Sequence, residues 1–426
     1  MSVNLPRTTA VAIDVNDDAA LAALIGKHNV VISLIPYTYH AAVIKAACAH
    51  KVDVVTTSYV SEAIQSLEKE IKAAGITVYN EIGLDPGIDH LYAVKAIDDI
   101  HKEGGKVKSF LSYCGGLPAP EAADNPLGYK FSWSSRGVLL ALRNTAKFYK
   151  DAQEQTVTGL DLMAAAQPYY ISPAFAFVAY PNRDSTPFRE FYQIPEAETV
   201  IRGTLRYQGF PEFVLALVKL GFLTEDAQPY LRKDDAHLSW AAVASHAVSG
   251  SADLAKDEHA LVEAVRTKAG PFRSAADEAR VLQGLRWVGL FDVKAPATVR
   301  GTAAQERSGE GLGNLLDSLC ATLEAKCRYL PGERDMVMLQ HRFEIEAADG
   351  SHKTLTSTLL DYGVPRGHSS MAKLVGVPCG VATKLLLEGH PAIKKAGIQR
   401  PYDVAGAEAL RLELEKEGIV MEERYV

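Results

Sequence analysis

Hydrophobic and polar positions along the first hundred residues switch repeatedly between two periods. Residues 10–15 form a short apolar run of strand type. Asp17 or Asp18 can cap a following helix in which Ala20, Leu21, Leu24 and Ile25 share one face. Residues 29–35 (NVVISLI) read as a strand buried on both sides, and 40–50 as a helix with Val43, Ile44 and Ala47 in step. A buried strand at 52–57, an amphipathic helix at 61–74 and a strand at 76–82 follow. Asp85-Pro86-Gly87 opens the next helix, and 106–113 is again a strand. Repeated βα units with doubly buried strands predict a mostly parallel sheet covered on both faces.

The pattern then changes. Residues 115–185 are rich in Pro, Gly, Ser, Asn and aromatics, which suits loops shaping a polar site. From about 211 to 291 the spacing is helical, with Val281, Leu282, Leu285 and Val288 on one face, and predicts no strand. Residues 336–358 alternate about an Asp349-Gly350 turn, with Val337, Leu339, His341, Phe343 and Ile345 on one side, a hairpin signal. A helix rich in small residues is expected over 371–387. No internal repeat is evident.

Composition narrows the function classes. The chain has 426 residues, 47% of them hydrophobic, enough for two or three domains. No apolar run of about 18 residues stands out, so no membrane span is expected. Residues 1–10 lack the apolar stretch of a signal peptide, which predicts a soluble cytoplasmic protein. Five cysteines, Cys48, Cys114, Cys320, Cys327 and Cys379, are scattered and read as free thiols in a reducing compartment. The formal charge of -7, without a basic run, argues against nucleic acid as a partner. No paired CxxC or HExxH supports a metal.

The candidate chemistry lies at strand ends. In open α/β sheets, ligands sit outside the carboxyl ends of the strands. Here those ends carry Ser33-Leu34, Thr57-Ser58-Tyr59, Leu84-Asp85-Pro86 and Cys114-Gly115-Gly116. Asp85 before a proline suits a helix N-cap or a ligand contact, and one residue can serve as both. Arg183, Arg202 and Arg206 fall in a polar, turn-rich region; arginine matches carboxylates bidentately, with surface ion pairs the competing reading. Gly309-Glu310-Gly311-Leu312-Gly313-Asn314 imitates a dinucleotide loop, but the sixth position is Asn and a polar stretch precedes it. It reads as part of a flexible insertion around 303–311.

Several long motifs together resemble saccharopine reductase, the NADP-dependent, glutamate-forming saccharopine dehydrogenase. They are VTTSYV at 55–60, NEIGLDPGIDH at 80–90, SYCGGLPAP at 112–120, FSWSSRG at 131–137, GTLRYQGF at 203–210 and KLVGVPCG at 373–380. The resemblance implies an α/β protein with three parts. A Rossmann domain covers 1–104, joined by a helix at 367–390. A mixed α/β substrate domain covers 105–206 and 334–366, and a mainly helical domain 207–333. It implies reductive condensation of L-2-aminoadipate 6-semialdehyde with L-glutamate, using NADPH, to give saccharopine in lysine biosynthesis. The substrate contacts it implies are Ser58, Tyr59, Asp85, Arg183, Thr204, Leu205 and Arg206. Positions near NADP(H) are Ile13, Asp14, Leu34, Thr57, Leu84, Asp85, Pro86 and Ser134. Tyr59, Asp85 and Cys114 are the candidate acid–base groups, and a homodimer is expected.

The first domain of the family opens with a strand, a glycine-rich turn, a helix and a second strand. The start of this chain leaves no room for them, so the expectation is an N-terminally truncated Rossmann domain with impaired cofactor binding and activity. A non-catalytic homologue that keeps the substrate site as a binding or regulatory module is the alternative.

Overall fold

The computed structural model describes residues 7–235 and 237–426. It divides into two compact units. One runs to Lys102 and resumes over Ala372–Val420; the other comprises Glu103–Met371 and Met421–Val426.

The first unit holds a parallel sheet in the order Val30–Ser33, Asp53–Thr56, Thr77–Tyr79, Gly397–Gln399. Val54, Val55 and Val78 are fully buried, as expected of central strands covered on both faces. Helix His40–His50 contributes Val43, Ile44, Ala47 and Cys48 to the core. Asp17 caps helix Asp18–Ile25 by accepting the Ala20 N–H at 3.0 Å. The strand expected at 10–15 is not formed. Asp14 instead accepts from the Asn16 N–H and side chain, and the Asp17 N–H returns to the Asp14 carbonyl. That local turn competes with strand pairing. The helix expected at 61–74 is two helices, Glu62–Gln65 and Glu68–Ala74. At the break, Ser66 donates its hydroxyl to the Ala63 carbonyl, which draws a backbone acceptor out of the ladder. Helix Val404–Lys416, which the pattern did not single out, packs on Ile88–Lys102, and Tyr92 donates to the Ile419 carbonyl at 3.0 Å.

The second unit is built on a nine-stranded mixed sheet. Its long strand Lys106–Pro118 lies between Asp335–Glu346, antiparallel, and Thr199–Tyr207, parallel. The hairpin is Asp335–Glu346 with His352–Tyr362, and Gly350 takes φ 81°, the left-handed turn conformation. Val337, Leu339, His341, Phe343 and Ile345 are all buried, but so are Met336 and Met338, so the first half of that strand is covered on both faces. Residues 115–185 are far more regular than loops. They contain helix Ser135–Ala141 and strands Ala146–Lys150, Gln153–Val157, Gln167–Tyr169 and Phe177–Pro181.

Four helices fall in the stretch expected to be helical, Phe210–Leu220, Trp240–Ser249, Glu258–Ala269 and Ala275–Val288, and a fifth, Leu315–Lys326, packs into the same core. Within 211–291 there is nevertheless a strand, Ala227–Arg232, paired with Leu312–Asn314. The glycine-rich stretch is therefore structural. Thr302 and Gln305 form a capping box on helix Ala303–Ser308, so the segment is a capped helix and a strand rather than a flexible insertion. A Cβ on Gly313 would lie 2.5 Å from the Arg300 carbonyl oxygen, a close approach that requires glycine. Asn314 caps the next helix through the Asp317 N–H.

Helix Ser370–Leu387, 18 residues, is long and apolar enough by length and composition to cross a membrane, contrary to the expectation that no run reaches that length. Its apolar side chains have packing work in this fold: Leu374, Val381, Ala382, Leu385 and Leu386 are buried.

Candidate functional site

In the first unit the carboxyl ends of the three sequential parallel strands bring Ser33, Leu34, Thr57, Ser58 and Leu84 to one rim of the sheet. Tyr59 donates its hydroxyl to Asp85 Oδ1 at 2.9 Å. Asp85 does not cap helix Ile88–Lys102. The Ile88 and Asp89 N–H groups go to the carbonyls of Gly83 and Leu84, and the Gly87 N–H to the Asp89 side chain. The half-buried Asp85 carboxylate is thus placed beside the Tyr59 phenol instead of at a helix end.

The Ser58–Val60 loop is fixed from beneath by Glu81. Glu81 has φ 61°, a left-handed backbone unusual for a residue with a side chain. Its N–H donates to the Ser58 carbonyl at 3.2 Å, and its carboxylate accepts the Val60 N–H at 3.2 Å. Tyr402 donates to the same carboxylate, with Arg400 Nε 3.4 Å and His90 Nε2 3.3 Å away. Burial pushes the Glu81 pKa up, but the nearby His90 ring and the hydrogen bonds from Tyr402 and the Val60 N–H outweigh it and hold the carboxyl below its ordinary value. Glu81, Arg400 and Tyr402 escaped the sequence reading. Glu81 sits inside a motif that was read, but its partners Arg400 and Tyr402 lie over 300 residues away.

The residues expected near NADP(H) in this unit suit the uncharged parts of a dinucleotide. Leu34 is 61% exposed at the end of its strand, and Ile13 and Thr57 are half-buried. Ile13, Leu34 and Thr57 carry no charge, and Asp14 is anionic, so they fit rings and ribose, whereas Leu84 and Pro86 are buried and can only back such a surface. Asp14 is held below the usual carboxylate range by the Asn16 N–H and side chain. Asp85 is also among the expected cofactor neighbours. Ser134, in the other unit, caps helix Ser135–Ala141 through the Gly137 N–H at 3.1 Å.

In the second unit, Cys114 and Thr204 are register partners on adjacent strands, and Tyr180 faces Thr204 from the other side. Asn182 donates to Thr204 Oγ1 at 2.8 Å. Arg183 is exposed just past strand Phe177–Pro181, at φ 49°, and its carbonyl accepts the Lys147 N–H. The Leu205 side chain is fully buried in the core, so only its backbone can meet a ligand. Gly115 is not a ligand approach: a Cβ there would lie 2.9 Å from the Leu205 Cβ, so the glycine serves strand packing.

Arg206 is the least ordinary residue of this group. It is only 7% exposed and forms no ion pair among the described residues. Its Nη1 donates to the Leu205 carbonyl at 2.8 Å, and its Nε has no hydrogen-bond partner among those residues. The guanidinium lies over the rings of Tyr129 (4.8 Å) and Phe210 (5.2 Å). The Tyr129 hydroxyl beside it also lacks a partner, and its pKa is raised by burial, against the opposing pull of Arg206. Arginine is seldom buried without a counter-charge. This geometry is a cation with donors to spare.

Two family models match nearly the whole chain: the saccharopine dehydrogenase NADP binding domain over residues 2–79 and the saccharopine dehydrogenase C-terminal domain over 83–419. The chain belongs to the saccharopine dehydrogenase family. A saccharopine dehydrogenase (NADP(+), L-glutamate-forming) of Pyricularia oryzae is 54% identical over 430 residues, which cover 100% of this chain and 91% of the relative. Its counterpart in Saccharomyces cerevisiae is 54% identical over 98% of this chain and 89% of its own length. The mitochondrial alpha-aminoadipic semialdehyde synthase of Bos taurus is 38% identical over 90% of this chain, which corresponds to 39% of that longer protein. Apo saccharopine dehydrogenase (L-Glu forming) from Saccharomyces cerevisiae superposes with TM-score 0.85 at 52% identity, covering 98% of this chain and 89% of that one.

The expectation of a truncated first domain is not supported. The NADP-binding match begins at residue 2, and the fungal relatives align over 98–100% of this chain.

Proposed function

We propose that this protein condenses L-2-aminoadipate 6-semialdehyde with L-glutamate and reduces the product to saccharopine. The observation that carries this reading is Arg206, a buried guanidinium with unused donors and no acidic partner among the described residues. Saccharopine has three carboxylates, and such a cation fits one of them bidentately. Arg183 is the candidate for a second carboxylate, with the Thr204 hydroxyl of the same unit as a further donor. The Leu205 backbone completes the set.

Tyr59 and Asp85 form one hydrogen-bonded pair, which suits the amine rather than the carboxylates: the Asp85 anion favours an ammonium or a protonated imine. Imine formation requires a proton to leave the glutamate amine and water to leave the carbinolamine. The Tyr59–Asp85 pair and Cys114 are the groups available for those transfers. NADPH supplies the hydride that reduces the imine carbon when it is bound. The protein's own contribution is to hold both amino acids in reacting geometry, worth several kcal/mol of barrier.

The test is oxidation of NADPH in the presence of the semialdehyde, with and without glutamate, and NADP+ reduction by saccharopine in the reverse direction. Turnover that requires both glutamate and semialdehyde is expected. A folded protein that binds NADPH and saccharopine but turns over in neither direction would overturn the reading.

A further inference from the structure

His40 begins helix His40–His50 and is 1% exposed. A buried imidazole must find partners for both ring nitrogens. Three hydroxyls from the strand ends surround this one. Ser33 Oγ lies 2.7 Å from Nδ1, Ser58 Oγ 2.9 Å from Nε2, and Thr56 Oγ1 3.2 Å from Nε2. No charged group is among these partners, and burial lowers the imidazole pKa, so the ring is neutral near pH 7. A neutral ring has one N–H and one lone pair, and the choice between two tautomers decides what Ser58 can do.

Only one choice suits a carboxylate ligand. Thr56 Oγ1 accepts the Ser58 N–H at 3.4 Å. The Ser58 carbonyl accepts the Glu81 N–H, so the serine's backbone is held on both sides. With the proton on Nδ1, the Nε2 lone pair would capture the hydroxyl hydrogen of its nearer neighbour, Ser58. That serine would then turn only lone pairs outward, and a carboxylate, which accepts and never donates, could not use them. With the proton on Nε2, the ring donates to Ser58 Oγ and leaves its hydroxyl hydrogen free.

We propose that His40 is a positioning residue: Ser33 donates to Nδ1, Nε2–H donates to Ser58 Oγ, and the Ser58 hydroxyl hydrogen is thereby aimed at a carboxylate of the substrate. This rests on the reading of Ser58 as a saccharopine contact. No proton is transferred in the chain Ser33–His40–Ser58; its function is to fix the sense of one hydroxyl. Pre-set donors cost a ligand less ordering than free rotors.

Two measurements test it. Long-range nitrogen–proton correlation on histidine-labelled protein without ligand should give His40 as a neutral ring protonated at Nε2. A ring protonated at Nδ1 overturns the proposal whatever binds. Calorimetric titration with saccharopine, with and without NADP+, should show His40→Phe or His40→Gln weakening Kd roughly tenfold, the scale of one hydrogen bond to a charged group. In a Ser58→Ala background the same substitution should add nothing, because the effect runs through that hydroxyl. Equal weakening in both backgrounds would assign His40 a merely structural role. If the His40 variants do not fold, Ser33→Ala provides the check: it removes the donor to Nδ1 and should weaken saccharopine binding several-fold, again only when Ser58 is present. An Nε2-protonated ring in wild-type protein that binds no saccharopine would instead overturn the functional reading, and with it the substrate-facing half of this proposal.

Discussion

Replacing Arg206 by methionine separates affinity from stability. The wild-type side chain makes one charge-assisted hydrogen bond, to the Leu205 carbonyl, and lies over the rings of Tyr129 and Phe210. The hydrogen bond contributes about 1.5–3 kcal/mol net and each ring contact about 1 kcal/mol. Against these stands the cost of holding a guanidinium out of water without a counter-ion, several kcal/mol even after relaxation. Methionine keeps an apolar stem of similar length and removes the charge. The expected change in folding stability is therefore near zero or a gain.

Affinity should behave in the opposite way. A buried, charge-paired carboxylate that loses its partner costs about 2–5 kcal/mol. That corresponds to a rise in Kd for saccharopine of roughly 30-fold to a few thousand-fold. Calorimetric titration with saccharopine and a thermal melt of the same preparation give both numbers. A Kd within threefold of wild type would show that Arg206 binds no carboxylate. A fall in Tm of more than about 5 °C, the equivalent of one to two kcal/mol in a domain of this size, would show that the guanidinium serves the fold instead.

Three further outcomes are expected. Cys114→Ser should keep activity within about tenfold of wild type, since neither imine formation nor reduction needs a thiolate; complete loss with saccharopine binding intact would make the thiol essential. Tyr59→Phe and Asp85→Asn should be non-additive in Kd, because they act through one hydrogen bond; a double variant as weak as the sum of the two would separate their roles. The Glu81 carboxyl is depressed in the folded state, so its contribution to stability is present above its unfolded pKa of 4.5 and is lost as pH falls through the folded value. Denaturant melts from pH 7 down to pH 3 should show that slope in wild type and a shallower one in Glu81→Gln; identical slopes would refute it.

What the sequence made legible follows the distance over which each feature is decided. The Asp17 cap, the Asp349-Gly350 turn and the buried strands at 53–56 and 77–79 depend on neighbours within a few residues, and the patterns located them. The strand at 30–33 was located too, but it is not buried on both sides as its apolar run suggested: it is the edge strand of the four, and Ile32 is 44% exposed. The competing readings of Asp85 could not be separated that way. The outcome turned on whether the carbonyls of Gly83 and Leu84 reach the first N–H groups of the helix, a matter of backbone path that residue types do not encode. Gly115 and Gly313 show the same limit from the other side. Gly115 stands at a strand end that carried candidate chemistry, and Gly313 in a stretch read as a flexible insertion; each is filled by another strand or turn of the protein, because a missing Cβ serves backbone packing as readily as ligand approach. The polar groups behind Ser58 were the hardest to see. His40 takes its partners from positions 7, 16 and 18 residues away, and Glu81 takes Tyr402 from 321 residues away, so neither cluster leaves a spacing in the chain. A histidine on an apolar helix face reads as core until two strand ends are seen to place three hydroxyls around it. Most residues read as ligand contacts stand in contiguous motifs, because a loop presents neighbours together. Those that orient them are gathered by the sheet, and only the sheet reveals them.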